Sequence, residues 1–181
     1  MVRLNLPERI ETEQLVLQRL KYEDAEELFY SYASKPEATK YLAFPTHQTV
    51  DDARKFITYA IPAWDDGTEY VFGIRLKRDN RFIGSLGFIN EDGKVQFGYS
   101  ISPTFWSQGF TTEACRAVLA ILKKQRDVYR IWTFIDAENE ASGKVLIKCG
   151  LVEEARLTKW FRFINQDNEP KDCVLYVLRD R

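Results

Sequence analysis

Histidine and cysteine, which often bind metals in proteins, are scarce in this sequence. There is one histidine, and the three cysteines lie far apart at Cys115, Cys149 and Cys173, with no Cys-x-x-Cys pair. An odd number of isolated cysteines argues against both a disulfide framework and a zinc site. The sequence therefore predicts reduced, mostly buried thiols and no metal cofactor.

Long apolar runs and an excess of one charge are also missing. No window approaches the roughly 20 apolar residues that span a bilayer, and the N-terminal residues do not resemble a signal peptide. The 26 lysines and arginines nearly balance the 27 acidic residues, which gives no electrostatic reason to expect nucleic-acid binding. We expect a cytoplasmic protein without a membrane or nucleic-acid partner.

The chain does contain enough apolar and aromatic sequence for one domain with a full core. Its 181 residues are 45% hydrophobic and 14% aromatic. No linker or repeat divides them, so residues 1–181 are predicted to form a single domain. Periodicity predicts an irregular lead-in over residues 1–12 and then an α+β arrangement. The predicted elements are strand 13–20, helices 21–34 and 49–64, strands 70–77, 82–90 and 97–102, helix 109–125, strand 129–136, helix 139–148, and strands 153–163 and 172–178.

Residues 97–115, FGYSISPTFWSQGFTTEAC, contain the strongest functional signal. Pro103 ends a strand because it has no amide hydrogen for a sheet ladder, and Gly109 precedes a helix opened by Thr111 and Thr112. A strand, a glycine loop and a helix start in this order place several free amides at the positive end of a helix. This arrangement favours phosphate binding. The alternative is an ordinary turn glycine beside helix-capping threonines.

Two motifs, together with the element order, resemble the GNAT superfamily of N-acetyltransferases. The first is GYSISPTFWSQGFTTEA, similar to that family's strand, Pro, Trp, glycine loop and Thr-Glu-Ala run. The second is NEASGKVLIKCGLVEE, similar to its Asn-x-x-Ser helix and Lys-x-Gly step. The likeness covers nearly the whole chain and is greatest to the RimJ/RimL branch, whose named members acetylate N-termini of ribosomal proteins. It implies a mixed, mostly antiparallel sheet of about seven strands flanked by about four helices, and acetyl-CoA as co-substrate.

The resemblance also implies where the cofactor binds. The phosphate-binding loop and helix start map onto Trp106, Ser107, Gln108, Gly109, Phe110, Thr111 and Thr112. Ser107 and Thr111 depart from the family's pattern, which often has glycine at the first position and glycine or alanine at the second. We expect the Thr111 hydroxyl to donate a hydrogen bond to the pyrophosphate instead. Glu113 is expected to support the helix start rather than catalysis.

Further cofactor contacts follow from the same likeness. The pantetheine arm is expected to pair with the backbone of the strand at Ile101, where the neighbouring strand, residues 129–136, splays away. Asn139 matches an asparagine that contacts the arm, with a helix N-cap as its alternative role. Ser142 matches a serine near the thioester sulfur and is the candidate catalytic residue, because a hydroxyl there can give a hydrogen bond or proton to the departing thiolate.

The general base is not evident from the sequence. Attack of a neutral amine on the thioester requires loss of a proton but no covalent nucleophile. Where some relatives have an acidic base, this chain has Lys159, Trp160 and Phe161. The open alternatives are a water chain, an amine that arrives neutral, or one of Glu91, Asp92 and Asp136. His47, in a polar loop, is predicted to be a surface residue.

The acceptor is predicted only as a class, a primary amine. It is either a protein N-terminal α-amine or a small molecule such as a polyamine, amino acid or aminoglycoside, and the near-zero net charge slightly disfavours polycations. A non-catalytic acyl-CoA-binding module is the alternative function, and both a monomer and a homodimer stay open. The aromatic candidates for the acceptor pocket are Tyr41, Phe44, Trp64, Tyr99, Trp132, Trp160 and Phe161.

Overall fold

The computed structural model of the protein describes residues 2–179, which contain eight strands in one mixed sheet. The strands are β1 (Arg9–Glu11), β2 (Leu15–Arg19), β3 (Glu69–Leu76), β4 (Phe82–Glu91), β5 (Lys94–Ile101), β6 (Arg130–Asp136), β7 (Leu151–Arg162) and β8 (Pro170–Leu178). Their order across the sheet is β1-β2-β3-β4-β5-β6-β8-β7. Every neighbouring pair is antiparallel except β5 with β6, which is parallel.

Five α-helices accompany the sheet in the described part of the chain. They are α1 (Ala25–Leu28), α2 (Pro36–Thr39), α3 (Val50–Asp66), α4 (Phe110–Leu122) and α5 (Glu140–Lys148). Within residues 2–179, no helix combines the length and the apolar character that a membrane crossing requires.

The predicted α+β architecture is confirmed, with one more strand and one more helix than expected. β1 lies in the segment predicted to be irregular, and its backbone pairs with β2. The predicted helix over residues 21–34 divides into a 3-10 turn, α1 and a π-helical turn, Phe29–Ala33. That last turn is wide because the amide and the hydroxyl of Ser34 both donate to the Phe29 carbonyl oxygen, at 3.1 and 2.8 Å.

The sheet separates two apolar layers. On one side, which we call the α4 face, α4 and α5 cover the larger core, and Ala114, Val118 and Leu146 are buried there. On the other side, the α3 face, α1 and α3 form a smaller core with Leu28 and Ile57. Successive side chains of a strand point to opposite faces, so the same strands contribute to both layers. Burial of both faces supplies the apolar area that drives folding.

Only three residue pairs join β5 to β6, and they lie near the start of both strands. The last pair is Gln96 with Trp132, after which the ladder stops and the C-terminal halves of the strands leave a gap. The predicted splay is therefore present. β5 itself ends at Ile101, and Pro103 begins a 3-10 turn that leads towards α4.

The gap exposes backbone groups of β5. Residues of an antiparallel strand direct their amides and carbonyls alternately to the two sides. The amide of Ser102 bonds to the Ile83 carbonyl oxygen of β4 at 2.7 Å, so even-numbered residues of β5 face β4. Tyr99 and Ile101 consequently direct their backbone groups into the gap, past the point where pairing with β6 has ended.

The turn and cap residues predicted from the sequence adopt the expected conformations. Asp92 and Gly93 have φ of 54° and 91°, as a two-residue hairpin of type I′ requires. Thr49 and Asp52 form the capping box at the start of α3. Gly150, just after α5, has φ of 89°, in agreement with its predicted role as a left-handed helix cap.

β7 forms one edge of the sheet, and its pairing with β8 is irregular. The register shifts between Leu157 and Phe161. Within this bulge Lys159 has φ of 48°, and its amide donates to Oδ1 of Asp172 at 2.8 Å. The stretch where some relatives have an acidic base is thus a bulge in this chain, and it kinks the edge of the sheet.

Gly93→Ala is expected to destabilise the protein by at least about 2 kcal/mol, because it combines two costs. The residue needs positive φ, and a Cβ there would overlap the carbonyl oxygen of Asp127. Gly98→Ala in β5 is the control, since a Cβ at Gly98 meets no atom within 4 Å. The free energy of unfolding in urea measures both changes. Equal stability of the two variants would contradict the account of the hairpin.

Candidate active site

The loop before α4 turns through two residues with left-handed backbone. Ser107 has φ of 60° and Gly109 has φ of 85°, and α4 begins at the next residue, Phe110. Among the described residues, none accepts a hydrogen bond from the amides of residues 107–112. Successive free amides at the start of a 13-residue helix concentrate positive partial charge. The arrangement fits a phosphate group.

The space in front of this loop is open. A Cβ built on Gly109 meets no atom within 4 Å, and Thr111 is half-buried at the rim, in the first turn of α4. Ser107 carries a cost of about 1 kcal/mol for left-handed backbone, which accounts physically for the glycine that is frequent at this position in the resembling family. The Ser107 and Thr111 departures leave the loop geometry suited to an anion.

Trp106 fastens the loop to the end of β5. Its indole Nε1 donates to the Ile101 carbonyl oxygen at 2.8 Å, while Gln108 Nε2 donates to the Thr104 carbonyl oxygen at 3.0 Å. The carbonyl of Ile101 is thus already engaged, although its amide still faces the gap. The predicted contact of Ile101 with the pantetheine arm is therefore narrowed to the amide.

Glu113 fixes the start of α4 to the β1–β2 turn. Its carboxylate accepts hydrogen bonds from Thr12 Oγ1 at 2.5 Å, from the Gln14 amide at 2.8 Å and from Gln14 Nε2 at 2.9 Å. Burial raises the pKa of Glu113, but the hydrogen bonds from Thr12 and Gln14 outweigh it and the pKa is lowered. The expected role of Glu113 in supporting the helix start agrees with these contacts.

Ser142 in α5 lies within hydrogen-bonding distance of β5. Its Oγ is 2.7 Å from the Tyr99 hydroxyl, which also lies 3.4 Å from the Ser142 carbonyl oxygen. Asn139 Oδ1 accepts a hydrogen bond from the Ser142 amide at 3.2 Å, so the N-cap role considered for Asn139 is observed. The two hydroxyls form a polar pair beside the gap.

Tyr99 is a proton donor rather than a base. Burial raises the pKa of its phenol well above the ordinary value, the neighbouring Cys115 adds to the rise, and the hydrogen bond with Ser142 opposes it. A protonated Tyr99 can donate to Ser142 Oγ, which leaves the serine hydrogen free to donate elsewhere. From the sequence, Tyr99 was predicted as a strand residue beside the pantetheine arm and as a pocket aromatic, and its pairing with Ser142 was not predicted.

The three carboxylates considered as bases are poorly placed for proton removal at the gap. Glu91 and Asp92 lie at the β4–β5 hairpin. The Glu91 carboxylate accepts a hydrogen bond from Lys94 Nζ, and the Asp92 carboxylate accepts one from the Val2 amide. At roughly 3.3 Å per residue, this hairpin is more than about 20 Å along β5 from its other end. Asp136 is buried, and its two oxygens accept from the Glu138 amide at 2.8 Å and from the side chain of Gln166 at 2.9 Å.

His47 is buried, so the prediction of a surface residue is wrong. Only 8% of it is exposed, and its ring packs 5.5 Å from that of Phe44 and 6.5 Å from that of Phe56. Its amide donates to the Ala33 carbonyl oxygen, and Nδ1 has no hydrogen-bond partner within residues 2–179. Burial lowers the pKa of His47, and Asp52 partly opposes this. The sequence neighbours of His47 are polar, so no pattern in the sequence indicated that its ring packs against Phe44 and Phe56.

Apart from Tyr99, the aromatic candidates for the acceptor pocket lie in several different parts of the fold. Trp64 is a core residue of the α4 face, where it packs against Tyr70 and Phe72. Trp160 is exposed in the β7 bulge. Phe44, Trp132 and Phe161 lie on the α3 face, together with two residues that were not predicted from the sequence, Phe134 and Phe163. The ring of Tyr41 lies 4.9 Å from Lys40 Nζ.

The loop between β7 and β8 closes over the α3 face. Asn165 Nδ2 donates to the carbonyl oxygens of Thr39 and Phe44 at 2.8 and 2.9 Å, and its Oδ1 accepts from the Thr46 amide at 2.9 Å. The Gln166 side chain holds Asp136 on the same side. The contacts of Asn165 join residues more than a hundred positions apart, and no pattern in the sequence predicted them.

No cluster of three or more His, Cys, Asp or Glu side chains in the described chain is arranged to hold a metal ion. The site consists of a helix start with free amides, an open strand edge and a pair of hydroxyls. Such a site provides hydrogen bonds and a proton donor, which are the means of group transfer from a phosphorylated carrier.

Fold and site together define a transferase that binds a phosphorylated cofactor. Residues 14–152 match the acetyltransferase (GNAT) domain family, and the chain belongs to that family. It is 30% identical over 153 residues to the uncharacterized N-acetyltransferase p20 of Bacillus licheniformis, covering 83% of this chain and 85% of that protein. Another relative is the uncharacterized N-acetyltransferase YoaA of Bacillus subtilis, 26% identical over 172 residues, 93% of this chain and 95% of that one. The protein is an acetyltransferase.

Solved structures share the fold. An acetyltransferase of the GNAT family from Bacillus anthracis aligns with a TM-score of 0.81 and 23% identity over 93% of this chain and 96% of that one. The microcin C7 self-immunity acetyltransferase MccE, solved with acetyl-CoA and AMP, aligns with a TM-score of 0.86 and 19% identity. The alignment covers 95% of this chain and 96% of that one. RimL, a ribosomal L7/L12 alpha-N-protein acetyltransferase solved with coenzyme A, aligns with a TM-score of 0.85 and 18% identity. The alignment covers 94% of this chain and 97% of that one.

Acidification through the range below about pH 6.5 is expected to destabilise the protein through His47. Folding lowers the pKa of His47, so the unfolded chain takes up a proton first as the pH falls, and this part of the stability, present above the unfolded pKa, is lost. Because the chain has one histidine, His47→Phe should flatten the dependence of unfolding free energy between about pH 7 and 5.5. An unchanged slope in the variant would refute the assignment.

Proposed function

We propose that this protein transfers an acetyl group from acetyl-CoA to a primary amine by direct attack on the thioester. The observation that carries the proposal is the gap between β5 and β6, with free amides at the α4 end and the Tyr99–Ser142 hydroxyl pair beside it. Each part supplies one requirement of the reaction: binding of the phosphates, placement of the arm, and stabilisation of the leaving sulfur.

The cofactor is held by backbone groups at two places. Free amides of residues 107–112 bind the pyrophosphate, and Thr111 adds a hydroxyl at the rim. The Ile101 amide and the backbone of Tyr99 would bond to the pantetheine arm like an added strand, and Asn139, which caps α5, is the further residue proposed to contact the arm. Bound acetyl-CoA supplies an activated acyl carbonyl and a thiolate leaving group.

Ser142 is the proposed catalytic residue. Tyr99, kept protonated by burial, donates to Ser142 Oγ, and the serine hydroxyl donates to the sulfur as negative charge develops on it. Tyr99 is thus a positioning residue that acts through Ser142. Hydrogen bonds to developing charge in a water-poor site stabilise the transition state strongly.

The acceptor amine enters from the α3 face and reacts in its neutral form. The three candidate carboxylates are engaged or distant, which leaves a water chain or prior deprotonation of the amine. Partial desolvation on an apolar surface lowers the pKa of an amine and favours the neutral, nucleophilic form. The proton lost after attack passes to water at the mouth of the gap.

The acceptor is either a protein N-terminal α-amine or a small-molecule amine, and a RimJ/RimL-like activity is one version of the first. The fold similarity to RimL supports that version, while the microcin C7 self-immunity acetyltransferase MccE has a related fold and a different role. The alternative function, a non-catalytic acyl-CoA-binding module, does not explain why two hydroxyls are paired beside the gap. Binding of CoA without turnover on any amine would favour the module.

We further propose that residues 1–181 are one acetyltransferase domain, because a single sheet runs through the described chain from β1 to β8. A cytoplasmic location and a monomeric or homodimeric state remain the predictions made from the sequence.

Thr111→Glu is expected to abolish binding of CoA, because a carboxylate at the rim repels the pyrophosphate at close range. An acidic residue in the first turn favours the helix itself, so loss of folding would not explain the result. Ala120→Glu, at an exposed position of the same helix, is the matched control. Isothermal titration with CoA measures both, and tight binding by Thr111→Glu would refute the placement of the phosphates.

Ser142→Ala is expected to lower kcat by about 100-fold or more while changing the affinity for CoA little, because it removes the donor to the sulfur and its bond to Tyr99 but none of the amides proposed to bind the phosphates. Tyr99→Phe, which loses the hydroxyl but keeps the ring, should lower kcat less. Thiol release with a saturating amine gives kcat, and titration gives CoA affinity. Glu140→Gln, exposed in the same helix, is the control. Full turnover by Ser142→Ala would remove its proposed role.

A further inference from the structure

Four aromatic side chains form a continuous apolar surface on the α3 face, beside the gap. Ring centroids are 6.4 Å apart for Trp132 and Phe134, 5.1 Å for Phe134 and Phe161, and 4.9 Å for Phe161 and Phe163. The first three are partly exposed, whereas Phe163 is buried behind them. We call these four residues the aromatic wall.

The β4 and β5 strands leave room next to the aromatic wall. Gly98 of β5 stands directly opposite Gly87 of β4, and a Cβ on Gly98 would meet no atom within 4 Å. Gly98 is exposed although it lies in a central strand. Two facing glycines therefore leave a shallow trough on the α3 face that borders the gap.

Polar contacts between the sheet and the segments that cover the α3 face form the border of the trough. Ser100, two residues from Gly98 and on the same face, donates to the Ala38 carbonyl oxygen of α2 at 3.2 Å. Ser85, its partner on β4, lies 2.6 Å from the Tyr32 hydroxyl. Asn165 joins the β7–β8 loop to the segment after α2. The trough thus has fixed sides and opens into the proposed reaction site.

Two lysines and two carboxylates border the trough. Lys94 Nζ lies 4.9 Å from the centroid of the Trp132 ring, and Lys35 Nζ lies 3.4 Å from Ser102 Oγ. Asp136 is on the same face, but both of its oxygens already accept hydrogen bonds. Glu69 Oε1 lies 4.0 Å from the Cβ position of Gly87, so this carboxylate borders the trough on the side away from the wall. Lysine and carboxylate charges therefore balance around the trough, and the aromatic rings are its distinguishing feature.

We infer that the acceptor is a primary amine attached to an aromatic or branched aliphatic group, and that this group packs against the aromatic wall with the amine directed over Gly98 into the gap. The inference rests on the proposed acetyl transfer and names its substrate class. Burial of a large apolar group contributes binding energy. The same apolar surroundings favour the neutral form of the amine. A free amine and an N-terminal Phe or Leu share this chemistry.

The experiment compares acceptors of the two classes with saturating acetyl-CoA and measures thiol release. The apolar arm contains 2-phenylethylamine, 3-methylbutylamine and short peptides beginning with Phe or Leu; the polar arm contains ethanolamine, spermidine and peptides beginning with Ser or Asp. We expect kcat/KM for the apolar members to exceed that for their polar counterparts by at least about tenfold. Peptides and free amines within the apolar arm distinguish the two sources.

Two kinds of variant test the wall itself. Phe161→Ala and Phe134→Ala should each reduce the preference for apolar acceptors about tenfold or more, through KM for the amine, with KM for acetyl-CoA unchanged. Gly98→Leu fills the trough without removing any core side chain, and should lower kcat/KM for large acceptors most. Tyr129→Ala, exposed at the opposite end of β6, is the control and should leave all values unchanged.

The outcomes separate this inference from the proposed function. Efficient acetylation of the polar arm with little on the apolar arm would overturn the substrate class and leave acetyl transfer standing. An apolar preference that survives Phe161→Ala, Phe134→Ala and Gly98→Leu would overturn the assignment to the wall. CoA binding without turnover on any amine would overturn both proposals.

Discussion

The parting of β5 and β6 after three residue pairs is the constraint on which the rest of the structure depends. A parallel pair would ordinarily continue its hydrogen bonds along both strands, and here the groups of Tyr99 and Ile101 are left without them. Unpaired backbone groups inside a protein are costly unless a partner is supplied. Trp106 satisfies one of them from within the chain. The others form an edge to which an extended, amide-bearing ligand can add, which makes the interruption the origin of the site.

Elements on the two faces of the sheet approach this gap with different chemistry. The α4 face contributes the free amides of the helix start and the hydroxyl of Ser142, both suited to a phosphorylated carrier and its sulfur. The α3 face contributes aromatic rings and bare glycine backbone, suited to an apolar acceptor. Distant contacts hold each side in place: Glu113 ties α4 to the β1–β2 turn, and Asn165 ties the β7–β8 loop to the segment after α2.

Features with local causes could be predicted from the sequence, and those with distant causes could not. Pro103 ends a strand, Asp92–Gly93 makes a hairpin and Asn139 caps a helix because of their own backbone preferences, and all three are present. The Tyr99–Ser142 bond joins residues 43 positions apart, and Asn165 reaches residues 121 and 126 positions away, so no local pattern announced them. His47 was misjudged for the same reason: its sequence neighbours are polar, but its spatial neighbours are Phe44 and Phe56.

The two ends of the sheet bear on how the protein behaves in crowded solution. An open sheet has two outer strands whose unpaired groups can recruit another chain, and long, flat, regular strands do this most readily. Here β1 is only three residues long, and β7 is bent by the bulge at Lys159. Neither offers an extended template, and the bulge places a charged side chain at the point of bending. Irregularity at Lys159 thus protects a sheet of eight strands from growing at its margin during folding and storage.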